Sequence, residues 1–471
     1  MRRHVIVSLC TSFNTTESHM QIKPQNNNSE VYKSTTDLNR VIKDVLELAK
    51  KEGATDAAVA VNYDRGFSVD VRMGEVETVA FNEDKGVGLT VYIGQRKGGA
   101  SSTDTSPEAL QSLVKAACEI AKVSAEDPCF GLADKELMTK NHPDLDLYHS
   151  WDITPQQAID LALKCESHAL SLDKRITNSD GVNVSSYESH HGYANTHGGE
   201  GFIHSTRHSV SCSVIAKEGD EMQRDYDYTT ARNAENLVSA DLIAAKAVER
   251  ALSRLGSKQI KTQMTPVIFS SRVSSGLLGS FVSAISGSNL YRKNSFLLDS
   301  IGQQLFPEFV HIYEQPHLKG ALGSAPFDGE GVPTRPNVLV EKGRLLQYVL
   351  GSYSARKMGL KTTANSDGVH NLTIDPTCGD LGDLLKMMRN GLLVTELMGQ
   401  GVNGITGDYS RGASGYWVED GVIQYPVDQI TIAGNLKEMY RMILAIGSDI
   451  NPNISMRCGS ILIENMMVAG K

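Results

Sequence analysis

The stretch "AAVAVNYDRGFSVDVRMGEVETVAFNEDKGVGLTVYIGQRKGGASS", Ala57 to Ser102, decides how this chain is read. Apolar and polar residues alternate along it, which is the period of a half-buried strand and not of a helix. Arg65-Gly66, Met73-Gly74, Lys85-Gly86 and Gly94 punctuate the alternation, and such dipeptides mark the turns of an antiparallel meander. On its N-terminal side, "DLNRVIKDVLELAKKEG" (Asp37–Gly53) gathers Leu38, Val41, Ile42, Val45, Leu46 and Leu48 mostly onto one helical face and stops at Gly53. On its C-terminal side, Ser106 and Pro107 open a second helix as N-cap and first helical residue.

The remainder keeps to these elements. Thr154-Pro155 opens another helix, Ile176 to Ala231 is strand-like and rich in serine and glycine, and "SADLIAAKAVERALSRLG" (Ser239–Gly256) is helical again. "PVIFSS" (Pro266–Ser271) reads as a buried strand, and "SRVSSGLLGSFVSAISG" (Ser271–Gly287) as a helix of small and apolar residues. Two hairpins turn at Lys342-Gly343 and Asp420-Gly421, and "NLKEMYRMILAIG" (Asn435–Gly447) is expected as a helix ahead of a strand pair around Arg457–Gly470. Helix–meander–helix followed by helix–hairpin–helix lacks the regular rhythm of a doubly wound sheet. The expected class is α+β, two domains of antiparallel meander and hairpin sheets packed by helices. Their expected limits are 37–233 and 234–471, preceded by a disordered extension over 1–36.

Bulk properties narrow the functional classes. A chain of 471 residues exceeds one ordinary core. A net charge of −9 argues against a nucleic-acid surface built on phosphate neutralisation. No apolar run approaches the ~20 residues that span a bilayer, so no membrane is implied. The seven cysteines are scattered without a CxxC pair, which fits a reducing cytoplasm better than a disulfide framework. "MRRHVIVSLCTSF" is too short and interrupted to be a convincing leader, and Met20 is an alternative start.

Several constellations invite a chemical reading. His190, His191, His197, His204 and His208 fall within one serine-rich stretch, and His204 and His208 share a strand face. No carboxylate stands at tight ligand spacing, so exposed hairpin histidines are the plainer reading. Cys458 sits in "CGS", and "GDYSRGASG" carries Ser410, but neither forms the strand–elbow–helix of a nucleophile. "GITGDYSRGASG" lacks the ending of a phosphate loop and reads as a turn across which Asp408 and Arg411 could pair. The loop after Gly359 brings together Asn365, Asp367, His370 and Asn371, either to meet a ligand or as a solvated turn.

"GEGVPTRPNVLVEKGRLLQYVLGSYSARKMGLKTTAN", "GVNGITGDYSRGASGYWVEDGVIQYPVDQITIAGNLKEM" and "RCGSILIENMMVAG" resemble the signatures of the TldD/PmbA family, on its PmbA or TldE branch, and the similarity runs in order from about Asp37 to the end. The resemblance implies a TldD–TldE heterodimeric metalloprotease that trims unfolded or extended peptides, serving peptide maturation and antitoxin turnover. An older name for the branch is modulator of DNA gyrase. In the TldD partner a helix carries H-E-x-x-x-H and a later cysteine completes a zinc site, where two imidazoles and a thiolate hold the cation and the glutamate takes a proton from its water.

Laid on "SGLLGS", that pattern puts Ser275 and Ser280 at the histidine positions and Gly276 at the glutamate position, while Cys458 falls where the cysteine ligand would lie. The resemblance therefore implies no catalytic residue, no metal and no cofactor in this chain, with zinc or a similar divalent ion expected in a TldD-like partner. Arg292, Lys293, Asn365 and His370 are candidates for a peptide path. Two copies of this chain could also pair. The rival readings are an independent hydrolase built on the His190–His208 cluster or Cys458, and a protein that binds gyrase directly.

Overall fold

The computed structural model describes residues 5–6 and 27–470. The leader-like segment and the alternative start at Met20 lie outside the described residues, as does most of the extension expected to be disordered. In the first half, β1 (Val5–Ile6) and α1 (Asn27–Lys51) precede the meander β2 (Asp56–Arg72), β3 (Glu75–Ile93) and β4 (Arg96–Ser102), which ends in α2 (Pro107–Val123). Then α3 (Pro155–Leu172) leads into β5 (Ile176–Asn195), β6 (Glu200–Glu218) and β7 (Glu221–Ala231), closed by α4 (Ala240–Ser253). Helix, three strands and helix thus occur twice. The helix expected from Asp37 begins at Asn27, in a polar stretch without apolar periodicity that left no trace in the hydrophobic pattern.

The two meanders form one antiparallel sheet, ordered β1-β3-β2-β5-β6-β7, with β4 also on β3. The join is β2 against β5, in register from Ala58–Asn195 to Val71–Val182. Arg65-Gly66 and Lys85-Gly86 do not turn the chain. They lie inside continuous strands of 17 and 19 residues. Gly66 is needed for close approach, since a Cβ there would collide with the Ser186 carbonyl of β5. The turn falls at Met73-Gly74, both at positive φ, where the two backbone amides donate to the buried Glu166 carboxylate of α3 at 2.9 and 2.7 Å.

Strands this long cover two cores on one face. Val59, Val61, Val87 and Leu89 pack under α1 and α2, while Val69, Val71, Val184 and Val210 pack under α3 and α4. Because α4 shares the second core, this part of the molecule reaches Leu255, past the limit expected at 233.

The second half contains β8 (Gln263–Phe269), α5 (Ser275–Ala284), α6 (Gly287–Tyr291), β9 (Ile312–Glu314), β10 (Val338–Glu341), β11 (Arg344–Leu345), α7 (Ser352–Lys357) and β12 (Leu372–Ile374). It continues with α8 (Leu381–Met388), β13 (Gly391–Met398), β14 (Asp408–Glu419), β15 (Val422–Asn435), α9 (Leu436–Arg441), β16 (Ile443–Ile446) and β17 (Ile461–Ala469). Here β15, β14, β13, β8 and β17 pair in turn, and β17 returns to β15, so the sheet closes on itself. Val267 and Phe269 face the core that also holds Leu277 and Phe281 of α5, while the alternate Ile268 faces α8.

Both expected hairpins form, with Lys342, Gly343, Asp420 and Gly421 at positive φ. The helix expected through Gly447 stops at Arg441, because Ile443–Ile446 find a partner strand in β17. Asp408 and Arg411 do not pair, since residues three apart on a strand face opposite ways; Asp408 accepts from Thr406 and Asn435 instead. Among the described residues, no helix is long and apolar enough to cross a membrane.

Closure of the second sheet requires a bare backbone at Gly415, where a Cβ would run into the Leu393 carbonyl of β13. Gly415→Ala is expected to destabilise the protein by ~1–3 kcal/mol, read as a lowered thermal midpoint.

Candidate functional site

Helix α5 turns Leu277, Leu278, Phe281 and Ala284 inward. Its other face presents Ser275, half-buried, then Gly276, exposed, and Ser280, half-buried. The Ser280 hydroxyl donates to the Gly276 carbonyl at 3.0 Å, an internal bond of the helix. A Cβ at Gly276 would meet nothing within 4 Å, and one at Gly279 would meet only the Met456 methyl at 4.0 Å. The outer face is therefore hydroxyl and bare backbone.

Cys458 lies beneath this helix, fully buried, with its thiol donating to the Gly459 carbonyl at 3.2 Å. Burial pushes the thiol up to about 12, only partly relieved by the neighbouring Ser274 hydroxyl. Two residues on, Ser460 donates to Asp449 at 2.7 Å and accepts the Ser271 amide at 3.0 Å, pinning the start of the α5 region to the segment just before β17. A protonated thiol beside serine hydroxyls is not a donor set for zinc, which takes thiolate, imidazole or carboxylate. Among the described residues, no three His, Cys, Asp or Glu side chains are placed to hold a metal ion.

The four peptide-path candidates do not share one surface. Arg292 and Lys293 are exposed just beyond α6, with Arg292 over the Tyr291 ring at 5.4 Å and Lys293 at positive φ. Asn365 and His370 are buried around Glu314, which is 1% exposed at the end of β9. Glu314 accepts from the Asn365 amide at 2.9 and 3.0 Å, from Asn337 at 2.9 Å and from the His370 backbone amide at 2.7 Å. The loop read as a choice between ligand contact and solvated turn is thus an internal polar network. Glu314 escaped the sequence reading although Ile312 and Glu314 alternate inward in "HIYEQP"; a single strand face does not reveal which loop will neutralise a buried acid.

Burial would depress the His370 imidazole, but hydrogen bonds and charge from Asp367 and Glu314 outweigh it and carry it to about 9. A folded-state value above the ordinary 6.5 stabilises the fold fully below pH 6.5, and this contribution is lost as pH rises through 9. His370→Gln is therefore expected to cost ~1–3 kcal/mol below pH 6.5. The deficit should shrink to near nothing above pH 9 in denaturation measured across that range.

His190, His191, His204 and His208 are not hairpin-loop residues, because β5 and β6 run straight through them. His197 does lie in the turn between the strands, half-buried, with its ring on the Ala133 carbonyl at 2.8 Å and on Asp56 at 3.1 Å. His190 and His208 are buried at 1% and 0% exposure, and His190 meets His204 edge-on across the strands at 4.6 Å. His208 is bonded at both ring nitrogens, to Ser186 at 3.0 Å and to the His149 carbonyl at 2.8 Å. Burial, then the charge of His204, depresses His190 to about 4, so it is neutral at physiological pH. These rings fill the middle of the long sheet between its two apolar cores.

The ties between the halves were not legible as pairs in the sequence. Arg272, just before α5, holds the buried Asp225 of β7 at 2.8 Å and lies over the Tyr226 ring at 5.1 Å. Burial raises Asp225, yet Arg272 outweighs it and keeps the carboxyl below its ordinary value. On the other side, Arg356 and Lys357 of α7 reach Asp134 at 2.9 Å and Asp127 at 2.7 Å. Sequence separations of this size give no spacing signal.

Comparison with known proteins accords with this architecture. Residues 57–121 match domain 1, 148–255 the central domain and 262–470 the C-terminal domain of the PmbA/TldA metallopeptidases. The chain is 49% identical over 438 residues to the metalloprotease PmbA of Escherichia coli O157:H7, covering 92% of this chain and 96% of that protein. A crystal structure from Bacteroides thetaiotaomicron, described as a proposed modulator of DNA gyrase, superposes with a TM-score of 0.87 at 28% identity, covering 92% of this chain and 99% of that one. TldE from Thermococcus kodakarensis shares the fold, with a TM-score of 0.81 at 21% identity over 91% of this chain and all of that one. With its three domains matched in order along nearly the whole chain, this protein belongs to the PmbA/TldD metalloprotease family.

Proposed function

We propose that this chain is a TldE-type subunit that completes a peptide-cleaving chamber with a TldD-like metalloprotease, and that it carries no metal or catalytic group of its own. The observation behind this reading is the composition of α5. Where the resemblance calls for imidazole, carboxylate and imidazole, it has Ser275, Gly276 and Ser280, and the thiol of Cys458 is buried and held protonated. Hydroxyls bind zinc poorly in place of imidazole, and glycine cannot take a proton from water.

What remains on this chain suits scaffolding. The exposed face of α5 lets another backbone approach closely, and the Arg272–Asp225 pair holds the segment before α5 against the long sheet. Arg292 and Lys293 supply positive charge beyond α6, where they would meet the carboxylates of an extended peptide. The cytoplasm is the compartment proposed for this work.

Peptide turnover by the purified chain, alone and after co-expression with a TldD-like protein, tests the assignment. Alone, the chain should hold far less than one equivalent of zinc and leave an unstructured peptide intact; the pair should digest it. Stoichiometric zinc and unaided digestion would overturn the proposal in favour of an independent hydrolase. Within the pair, alanine at Arg292 and Lys293 should weaken cleavage ~3- to 10-fold while co-purification is unchanged.

A further inference from the structure

A cavity of about 280 Å³ separates the long sheet from the C-terminal half, and it shares no residue with α5 or Cys458. Its floor is the sheet face opposite the two helix-covered cores, built from small residues such as Ala60 and Gly88. Tyr92 and Tyr193 line it beside them, and Lys97 of β4 and Glu330 of the C-terminal half supply its charges. Small residues under aromatic walls leave a flat slot, slightly below the ~300–1,000 Å³ of drug-sized sites.

The charges make this slot distinctive. Lys97 and Glu330 line one cavity but form no ion pair with each other, and neither forms one with any other described residue. Glu330 accepts the Ser352 amide with one oxygen at 2.8 Å, and its second oxygen has no donor among the described residues. Lys97 is exposed and Glu330 half-buried, so both charges are open to a ligand entering from solvent.

The Glu330 side of the cavity is fixed by the fold. Asp328 fixes the turn carrying Glu330 by accepting the Glu330 and Val332 amides at 3.0 Å with one oxygen and the Ser366 amide at 3.0 Å with the other. Lys97 sits on β4, in register with Tyr92 of β3. Arg356 holds the Gly131–Ala133 side of the cavity by donating to the Gly131 carbonyl at 3.2 Å. On the Glu330 side the acceptor is placed before binding, so little is spent ordering it.

We propose that this cavity binds a small zwitterion with a free α-ammonium and a free carboxylate, an amino acid or short peptide, its ammonium on Glu330 and its carboxylate on Lys97. Tyr92 and Tyr193 would flank the ammonium and the first side chain, where ring faces attract a cation. This inference needs no partner subunit, so it can fail while the chamber assignment stands, and the reverse.

Calorimetric titration of the full chain with alanine, dialanine and trialanine tests it. At least one should bind at or below ~10 mM, and the one that binds most tightly sets the length the slot takes. N-acetylation or C-terminal amidation of that ligand should weaken binding at least ~10-fold. Glu330→Gln, which keeps an acceptor for the Ser352 amide, should lose as much for the free ligand and no more for the acetylated one. Lys97→Met, at an exposed position, should do the same with respect to amidation. No heat from any of the three ligands, or equal binding of free and blocked forms to the unaltered chain, would overturn the proposal.

Discussion

The unbroken pairing of β2 with β5 is the constraint on which the molecule rests. It fuses two helix–meander–helix units into one sheet, and strands of 17 and 20 residues are long enough to carry an apolar core at each end of one face. Helices cover those ends and leave the opposite face free to meet the C-terminal half. The cost of such length falls in the middle, where neither helix pair reaches. Polar groups fill that gap: His190 and His208 are buried there, and Arg65 meets Glu188 at 2.9 Å. His208 is matched at both ring nitrogens, whereas His190 keeps a buried Nδ1 without a partner among the described residues and is held neutral.

The C-terminal half solves a different problem. Its barrel-like sheet has no free edge between β15 and β17, and α5 packs its apolar face into the same core. This explains how α5 could keep its place without ionisable side chains. Its position is set by Leu277, Leu278 and Phe281, by the Ser460–Ser271 bond behind it and by Arg272 in front. The apolar face that packs this helix is separate from its outer face, so residues on the outer face can change without disturbing the core.

Buried charge is handled consistently. Glu314 is met by His370 and two asparagines, Asp225 by Arg272 and Arg254, and Glu166 by two backbone amides of a turn. Each acid sits where two segments distant in sequence must be held together. An uncompensated carboxylate at these depths would cost several kcal/mol, so each match is a strong restraint on how the segments meet. Lys97 and Glu330 stand out against this pattern, as charges that line one cavity without an ion pair among the described residues.

The sequence alone determined the class, most element positions and the family, because strand alternation, caps and hairpin dipeptides are local and the long motifs are distinctive. It also located the absence of ionisable residues on α5, which is a statement about side-chain identity and needs no coordinates. Glycines misled it at Gly66 and Gly86, since a close approach to a neighbouring strand and a turn ask for the same residue. The apolar run after Arg441 misled it too, because only a partner strand distinguishes β16 from more helix. Tertiary structure decided the rest: that two meanders make one sheet, that His190 and His208 are buried, that Glu314 has partners, and that Lys97 and Glu330 share a cavity. All of these depend on which distant segments come to lie side by side, and no periodicity within a segment encodes its neighbour.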